Sequence, residues 1–290
     1  MLEPRDPAPF HAMWCETVAG RWCGGRERVV IQAVAVIPAA PVLIPELMGA
    51  AAPEVEPVRE AARAALRTVA TTLGEGPGRA DDSRLMVVGA GRSGQDQPVR
   101  PHHLAGSIVD RTFGPALLLP PLPGAEQAGD DAPTGRVPTP LLVARRLLGD
   151  VAADATTSAP WAGTEWLTLR PDAVGVLADQ LVADPAPVGL VLVADGAACH
   201  GPKAPRREDP RAQEYDDQVA KALTVADPVA FESLDVGLGR DLGAEGADLW
   251  RLLLHVAAAD ARDESAGWRA ELTWRGAPYG VGWFVASGRR

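Results

Sequence analysis

Residues 188–194, Val-Gly-Leu-Val-Leu-Val-Ala, hold no polar side chain and run straight into Asp195-Gly196. A strand is apolar at every position only when both its faces are covered, so this segment predicts the middle of a sheet enclosed by helices. Residues 29–37 have the same character, and so do residues 85–88, which end in Gly89-Ala90-Gly91. Between those two runs Val55, Val58, Ala62, Leu66, Val69 and Leu73 recur every three or four residues, the apolar stripe of a helix. Glu56, Arg59, Glu60, Arg63 and Arg67 fall on its wet side, and Gly74 suits the C′ position. Alternating helices and doubly buried strands predict an α/β fold, with a mostly parallel central sheet and helices on both faces.

The rest of the chain extends that pattern. Residues 116–119 read as a third strand, 140–148 as a short helix and 172–181 as another. A further helix begins near Asp209-Pro210 with Tyr215, Val219 and Leu223 on one side, and short helices follow at 227–234 and 245–259. Residues 270–274 and 281–286 flank Gly276-Ala277-Pro278 and predict a C-terminal antiparallel hairpin. Residues 92–103, 123–138 and 150–165 have loop composition. Residues 1–28 show no sustained period and are read as a disordered extension. With no internal repeat and no linker, residues 29–290 are expected to form a single domain.

The formal net charge of −10 argues against a nucleic-acid partner, which needs a basic face, and against an anionic membrane surface. No apolar run is long enough to span a bilayer, and residues 1–28 have no apolar core of a secretory signal. Three cysteines, Cys15, Cys23 and Cys199, are too few and too scattered for a disulfide framework, which points to a reducing, cytoplasmic setting. Cys15 and Cys23 have no partners at zinc spacing.

The segment from Leu192 to Leu254 contains Asp195-Gly196-Ala197-Ala198-Cys199-His200 and Lys203-Ala204-Pro205, then Asp209-Pro210-Arg211 with Tyr215-Asp216, and finally Ala226-Asp227-Pro228 with Leu234-Asp235. Pro38-Ala39-Ala40-Pro41-Val42-Leu43-Ile44-Pro45-Glu46 precedes it, and Ala277-Pro278-Tyr279-Gly280-Val281-Gly282-Trp283-Phe284-Val285-Ala286 follows. In this order the segments resemble the catalytic subunit of class III extradiol ring-cleavage dioxygenases, its uncharacterised branch in actinobacteria, and the Memo-like relatives. The likeness covers the two ends of the chain and leaves residues 92–170 poorly matched.

The resemblance implies non-haem Fe(II) held by two histidines and a carboxylate, at the C-terminal ends of parallel strands. The first histidine would fall at Ala39, the second at Gly91 or a neighbour, and the carboxylate at Ala244 or Glu245. Neither histidine is present. The expected cofactor is therefore none, and the expected activity is binding of a small molecule or a protein partner. The alternative is an active Fe2+ dioxygenase on an aromatic diol, using His102 or His103 with Glu245 and His200. Heteromeric relatives also suggest a structural subunit, and a homo-oligomer is compatible with the sequence.

By the same resemblance His200 corresponds to an acid/base histidine that handles substrate protons, and a neutral-range pKa suits that role. The competing reading is a loop histidine bonded to backbone. In either case its place after a strand predicts that His200→Ala spares folding. The pocket is expected to include Asp195, Lys203, Tyr279 and Glu245, with Asp195 also readable as a turn cap. His102-His103 reads as a solvated loop pair, His255 as a core histidine and Cys199 as a small buried side chain. The glycines at 89, 91 and 94 give a weak phosphate-binding signal, and are read as letting the backbone turn off the strand. Trp161 and Trp166, in loop-like sequence, are candidates to line a pocket or an interface, whereas Trp250, Trp274 and Trp283 read as core.

Overall fold

A computed structural model describes residues 31–75, 83–91, 99–114, 116–125, 136–154, 161–183, 186–226, 228–260 and 268–290. The extension read at residues 1–28, with His11, Cys15 and Cys23, lies outside the described residues. In chain order the structure has β1 (Ile31–Ile37), α1 (Glu56–Glu75), β2 (Arg84–Ala90), β3 (Val99–His102), β4 (Ile108–Asp110), β5 (Leu117–Leu119), α2 (Thr139–Ala153) and β6 (Glu165–Leu169). Then come α3 (Val174–Ala183), β7 (Val188–Val193), α4 (Arg211–Val225), α5 (Pro228–Glu232), α6 (Val236–Asp241), α7 (Ala247–Asp260), β8 (Arg269–Gly276) and β9 (Trp283–Arg289). Short helical turns at Pro41–Leu43, Pro45–Met48 and Gly49–Val55 join β1 to α1.

Among the described residues the main sheet has seven strands, in the order β3-β6-β2-β7-β1-β9-β8. β6, β2, β7 and β1 are mutually parallel, while β3 at one edge and the β9–β8 hairpin at the other run antiparallel. The expected α/β fold, parallel centre and C-terminal hairpin are all present. β7 shows why its sequence is wholly apolar: Val191 and Val193 join the core beneath α1 and α2, and Leu190 and Leu192 join the core beneath α3, α4 and α7. Side chains alternate across the pleat, and each face meets a helical layer.

All six residues of the predicted α1 stripe are buried. The helix runs one residue beyond Gly74, which therefore sits within its last turn. Arg59, placed by its spacing on the wet side, is only 2% exposed. The turns between β1 and α1 fold over it, and its guanidinium donates to the Leu43 carbonyl at 3.0 Å and the Ala52 carbonyl at 3.2 Å and pairs with Glu56. Leaving those carbonyls unpaired would cost more than burying a satisfied guanidinium.

Four local expectations are corrected. Residues 99–102, within a stretch read as turn, form edge strand β3, and Glu165–Leu169, which begins at the end of the stretch read as loop, is interior strand β6. Trp166, in β6, is 1% exposed and Trp161 is 4% exposed, so both are core residues. Leu117–Leu119 is a strand, but among the described residues it pairs only with Ile108–Asp110, in a separate two-stranded sheet. That small sheet is anchored by Arg145 of α2, whose buried guanidinium donates to the carbonyls of Leu104 at 2.6 Å and Gly106 at 3.3 Å and to that of Pro120. Burial, and then Arg146 nearby, push the Arg145 pKa down to about 10, which still leaves it charged at neutral pH. Among the described residues no helix is long and apolar enough to cross a membrane.

Candidate functional site

In a parallel sheet the strand ends open on one side, and that is where α/β folds place clefts. Here the C-terminal ends of β1, β2, β6 and β7 floor a cavity of about 1040 Å³. Ala39, Ala90, Gly91, Thr168 and Asp195 form the floor. Residues 136–140, which lead into α2, make one wall; Arg240 and residues 243–245 with Asp248 and Leu249 make a second; Tyr279, Val281 and Trp283 make a third.

Register explains the centre. Ile37 lies opposite Val193 in the parallel β1–β7 pair, so two residues further on Ala39 faces Asp195. The Ala39 N–H donates to the Asp195 carboxylate at 2.9 Å. Asp195 thus ties two strand ends together instead of capping its own turn. Its carbonyl in turn accepts from the Gly246 N–H at 2.9 Å, drawing the start of α7 onto the strand end. A side chain at position 246 would meet Trp250 at 2.6 Å and the Asp195 carbonyl at 2.8 Å, so only glycine allows this approach. Burial raises the Asp195 pKa to about 7; the Ala39 N–H opposes this, and the negative charges of Glu245 and Asp216 add to it. A carboxyl that titrates near neutrality at the base of a cleft can give or take a proton at working pH.

Of the expected pocket residues, Asp195, Glu245 and Tyr279 line this cavity. Lys203 does not: it is exposed, in the turn beyond His200. His200 is also outside the lining. Its Nε2 lies 2.6 Å from Asp216 Oδ2, while Asp216 Oδ1 accepts the Ala197 N–H at 3.0 Å. The His200 N–H donates to the Gly280 carbonyl at 3.0 Å, and Gly196 and Gly282 bond across the same seam. His200 therefore clasps the loop after β7 to α4 and to the approach of β9. A methyl at Gly282 would overlap the Asp216 carboxylate. Burial raises the Asp216 pKa, against the hydrogen bonds from Ala197 and His200.

His102 does reach the cavity, its Nε2 lying 3.1 Å from Thr168 Oγ1 across the β3–β6 pair. Burial lowers its pKa, as do the charges of Arg100 and His103. His103 is exposed and outside the lining. Cys199 is buried, its thiol directed at the Leu242 carbonyl at 3.3 Å. Residue 94 of the glycine pattern lies outside the described residues.

Sequence reasoning missed the arginines. Arg100, Arg136, Arg206 and Arg240 all line the cavity. Arg100 precedes Pro101 in a stretch of turn composition, so nothing local marked it as part of a strand. Among the described residues no group of three or more His, Cys, Asp or Glu side chains is placed to hold a metal ion.

No family model and no curated protein matches this sequence. Among solved structures the chain is similar to the uncharacterized protein JW3007 from Escherichia coli K12, at 13% identity, covering 89% of this chain and 100% of that one, with a TM-score of 0.39. A likeness of that size carries no functional argument.

Proposed function

We propose that this chain is a relative of the class III extradiol dioxygenase catalytic subunit, of the Memo-like group, that has lost its iron site and acts by binding a small molecule in the strand-end cleft. One observation carries the reading. Ala39, Gly91, Ala244 and Glu245, at which the resemblance puts the iron ligands, all line a single cavity. The location of the site is kept while two of its donors are reduced to a methyl and a hydrogen.

A two-histidine, one-carboxylate iron centre does not fit these residues. Ala39 and Gly91 offer no side-chain donor, and His200 is committed to Asp216 away from the cavity. Replacing even an outer partner of a metal ligand costs about 10–100-fold in affinity, so losing two ligands leaves little binding. The cleft itself retains the means to bind and orient a small molecule: an apolar wall, arginines, and a carboxyl that exchanges a proton near neutral pH.

The test offers ferrous iron to anaerobically purified protein and measures bound metal per chain. Substoichiometric, weak binding is expected, with a gain of about tenfold or more in the Ala39→His, Gly91→His double variant. Stoichiometric iron held with sub-micromolar affinity by the unaltered chain would overturn the reading. It would favour the alternative, an iron dioxygenase with non-standard ligands.

A further inference from the structure

The chain carries a net charge of −10, yet arginines line its cleft, and one of them stands in a defined cluster. β3 pairs with β6 so that Arg100 lies opposite Thr168 and His102 opposite Trp166. Opposite residues of an antiparallel pair share a face, as do residues two apart on one strand, so Arg100, His102 and Thr168 stand together. All three line the cavity. Opposite side chains start about 5 Å apart, His102 Nε2 lies 3.1 Å from Thr168 Oγ1, and the charge of Arg100 acts on the His102 ring. Thr168 is 3% exposed and holds the imidazole by Nε2, which leaves Nδ1 as its second polar atom. The Arg100 side chain is exposed, and among the described residues its guanidinium has no ion pair or hydrogen bond.

The next strand adds a wall. Thr168 is also the register partner of Gly89 on β2, and a side chain at Gly89 would meet Pro140 of α2 at 2.8 Å. The first turn of α2 therefore sits one strand, about 5 Å, from Thr168. That turn has no side-chain cap, and Thr139 and Pro140 line the cavity, so the positive end of this 15-residue helix adds to the field of Arg100. The side chains define the cluster, and the helix only supplements them. The glycines at the end of β2 do not take part: the Gly91 N–H is taken by the Leu169 carbonyl at 2.8 Å.

An anion matches these donors, and their number selects its kind. A guanidinium fork satisfies both oxygens of a carboxylate by itself and would leave the imidazole N–H without a partner. A phosphoryl group presents three acceptor oxygens, two for the fork and one for the imidazole. We propose that the β3–β6 end of the cleft binds the phosphoryl group of a small molecule through Arg100 and His102, with Thr168 positioning the imidazole. Burial and the charges of Arg100 and His103 lower the His102 pKa in the empty cleft, and a bound anion opposes them. This rests on the reading of the cleft as a small-molecule site. It does not depend on the fate of the iron site, because Ala39 and Gly91 take no part in it.

The experiment titrates the full chain, in metal-free buffer, with inorganic phosphate, phenyl phosphate and acetate by calorimetry. Both phosphates should saturate a single site, and acetate should bind at least about tenfold more weakly. Phenyl phosphate tighter than phosphate assigns the site to an organic phosphoryl ligand, and equal affinity assigns it to the free ion; both support the proposal. Arg100→Gln should weaken both phosphates at least about tenfold and leave the melting temperature unchanged, since the side chain is exposed. Arg207→Gln, also exposed but outside the cleft lining, should change neither. By NMR, saturating phosphate should raise the pH at which the His102 ring titrates. The comparison of phosphate with acetate needs no variant, so it decides even where a variant folds poorly. No saturable binding of either phosphate, acetate as tight as phosphate, an unaffected Arg100→Gln, an equal loss in Arg207→Gln (an adventitious ion only) or an unmoved His102 ring would each overturn the proposal. Stoichiometric iron in a chain that still binds phosphate through Arg100 overturns the proposed loss of the metal site alone; no iron and no phosphate overturns this inference alone.

Discussion

Asp195 carries a stability signature as well as a place in the cleft. Folding raises its pKa from the ordinary 3.8 to about 7, so the folded chain holds this proton more tightly than the unfolded chain. Its stabilising contribution is complete below the unfolded pKa and is lost as pH rises through about 7. Asp195→Asn keeps an acceptor for the Ala39 N–H and removes the charge. The variant should therefore melt higher than wild type at about pH 8 and similarly at about pH 4, a difference on the order of 1–3 kcal/mol after allowing for water in the cavity. Melting curves across pH check this, and a wild-type curve flat from about pH 4 to 8 would contradict it. At His200 the structure changes an expectation. A loop position predicts that His200→Ala spares folding, but the imidazole satisfies a buried Asp216 carboxylate at 2.6 Å. Its removal should cost about 1–3 kcal/mol in a denaturant titration, partly recovered by His200→Gln. An unchanged midpoint would show that the clasp contributes nothing. Asp195 was legible because it follows an unmistakable strand; Arg100 and Arg136 were not, because nothing in their local sequence marks them as lining the cleft.

Among the elements, β1, β2, β7 and α1 were legible from period alone, since each satisfies one pattern over its whole length. β6 was not. Its five residues follow a stretch of loop composition, and Glu165 at its head looks solvent-bound until Arg84 of neighbouring β2 is seen to grip it at 2.6 and 2.9 Å. α6 is masked by Gly237 and Gly239, and only the Asp235 carboxylate, accepting the Leu238 N–H at 2.9 Å, marks its start. α1 lies tightly over β7 at Gly189, where a side chain would meet Val69 at 2.6 Å and Leu73 at 2.7 Å. Gly189→Val should thus lower stability by about 1–3 kcal/mol through overpacking and leave ligand binding at the strand ends intact. At Arg145, substitution by Met should strip the carbonyls of Leu104, Gly106 and Pro120, each at a cost of about 1–3 kcal/mol. Faster amide hydrogen exchange confined to residues 104–122 is the expected readout; uniform exchange across the sheet would show that Arg145 acts more widely.

At the scale of the whole molecule, two cores share one sheet, and the cleft exists because the four parallel strands end together between them. Removing residues 269–290 should abolish cooperative unfolding, because Trp283, Phe284 and Val285 are each 2% exposed or less and between them reach both cores. A truncated chain that still melted sharply would show the hairpin to be an accessory. The position of β9 has a consequence for biosynthesis. Its partner β1 is the first strand of the sheet to leave the ribosome, while residues 283–289 come out some two hundred and fifty residues later. Until then β1 presents an unpaired, largely apolar edge, and β7 on its other side also arrives late. Such an edge is open to wrong partners throughout translation. Chaperone holding of the nascent chain, or aggregation when translation stalls between α1 and β7, is the vulnerability this topology creates.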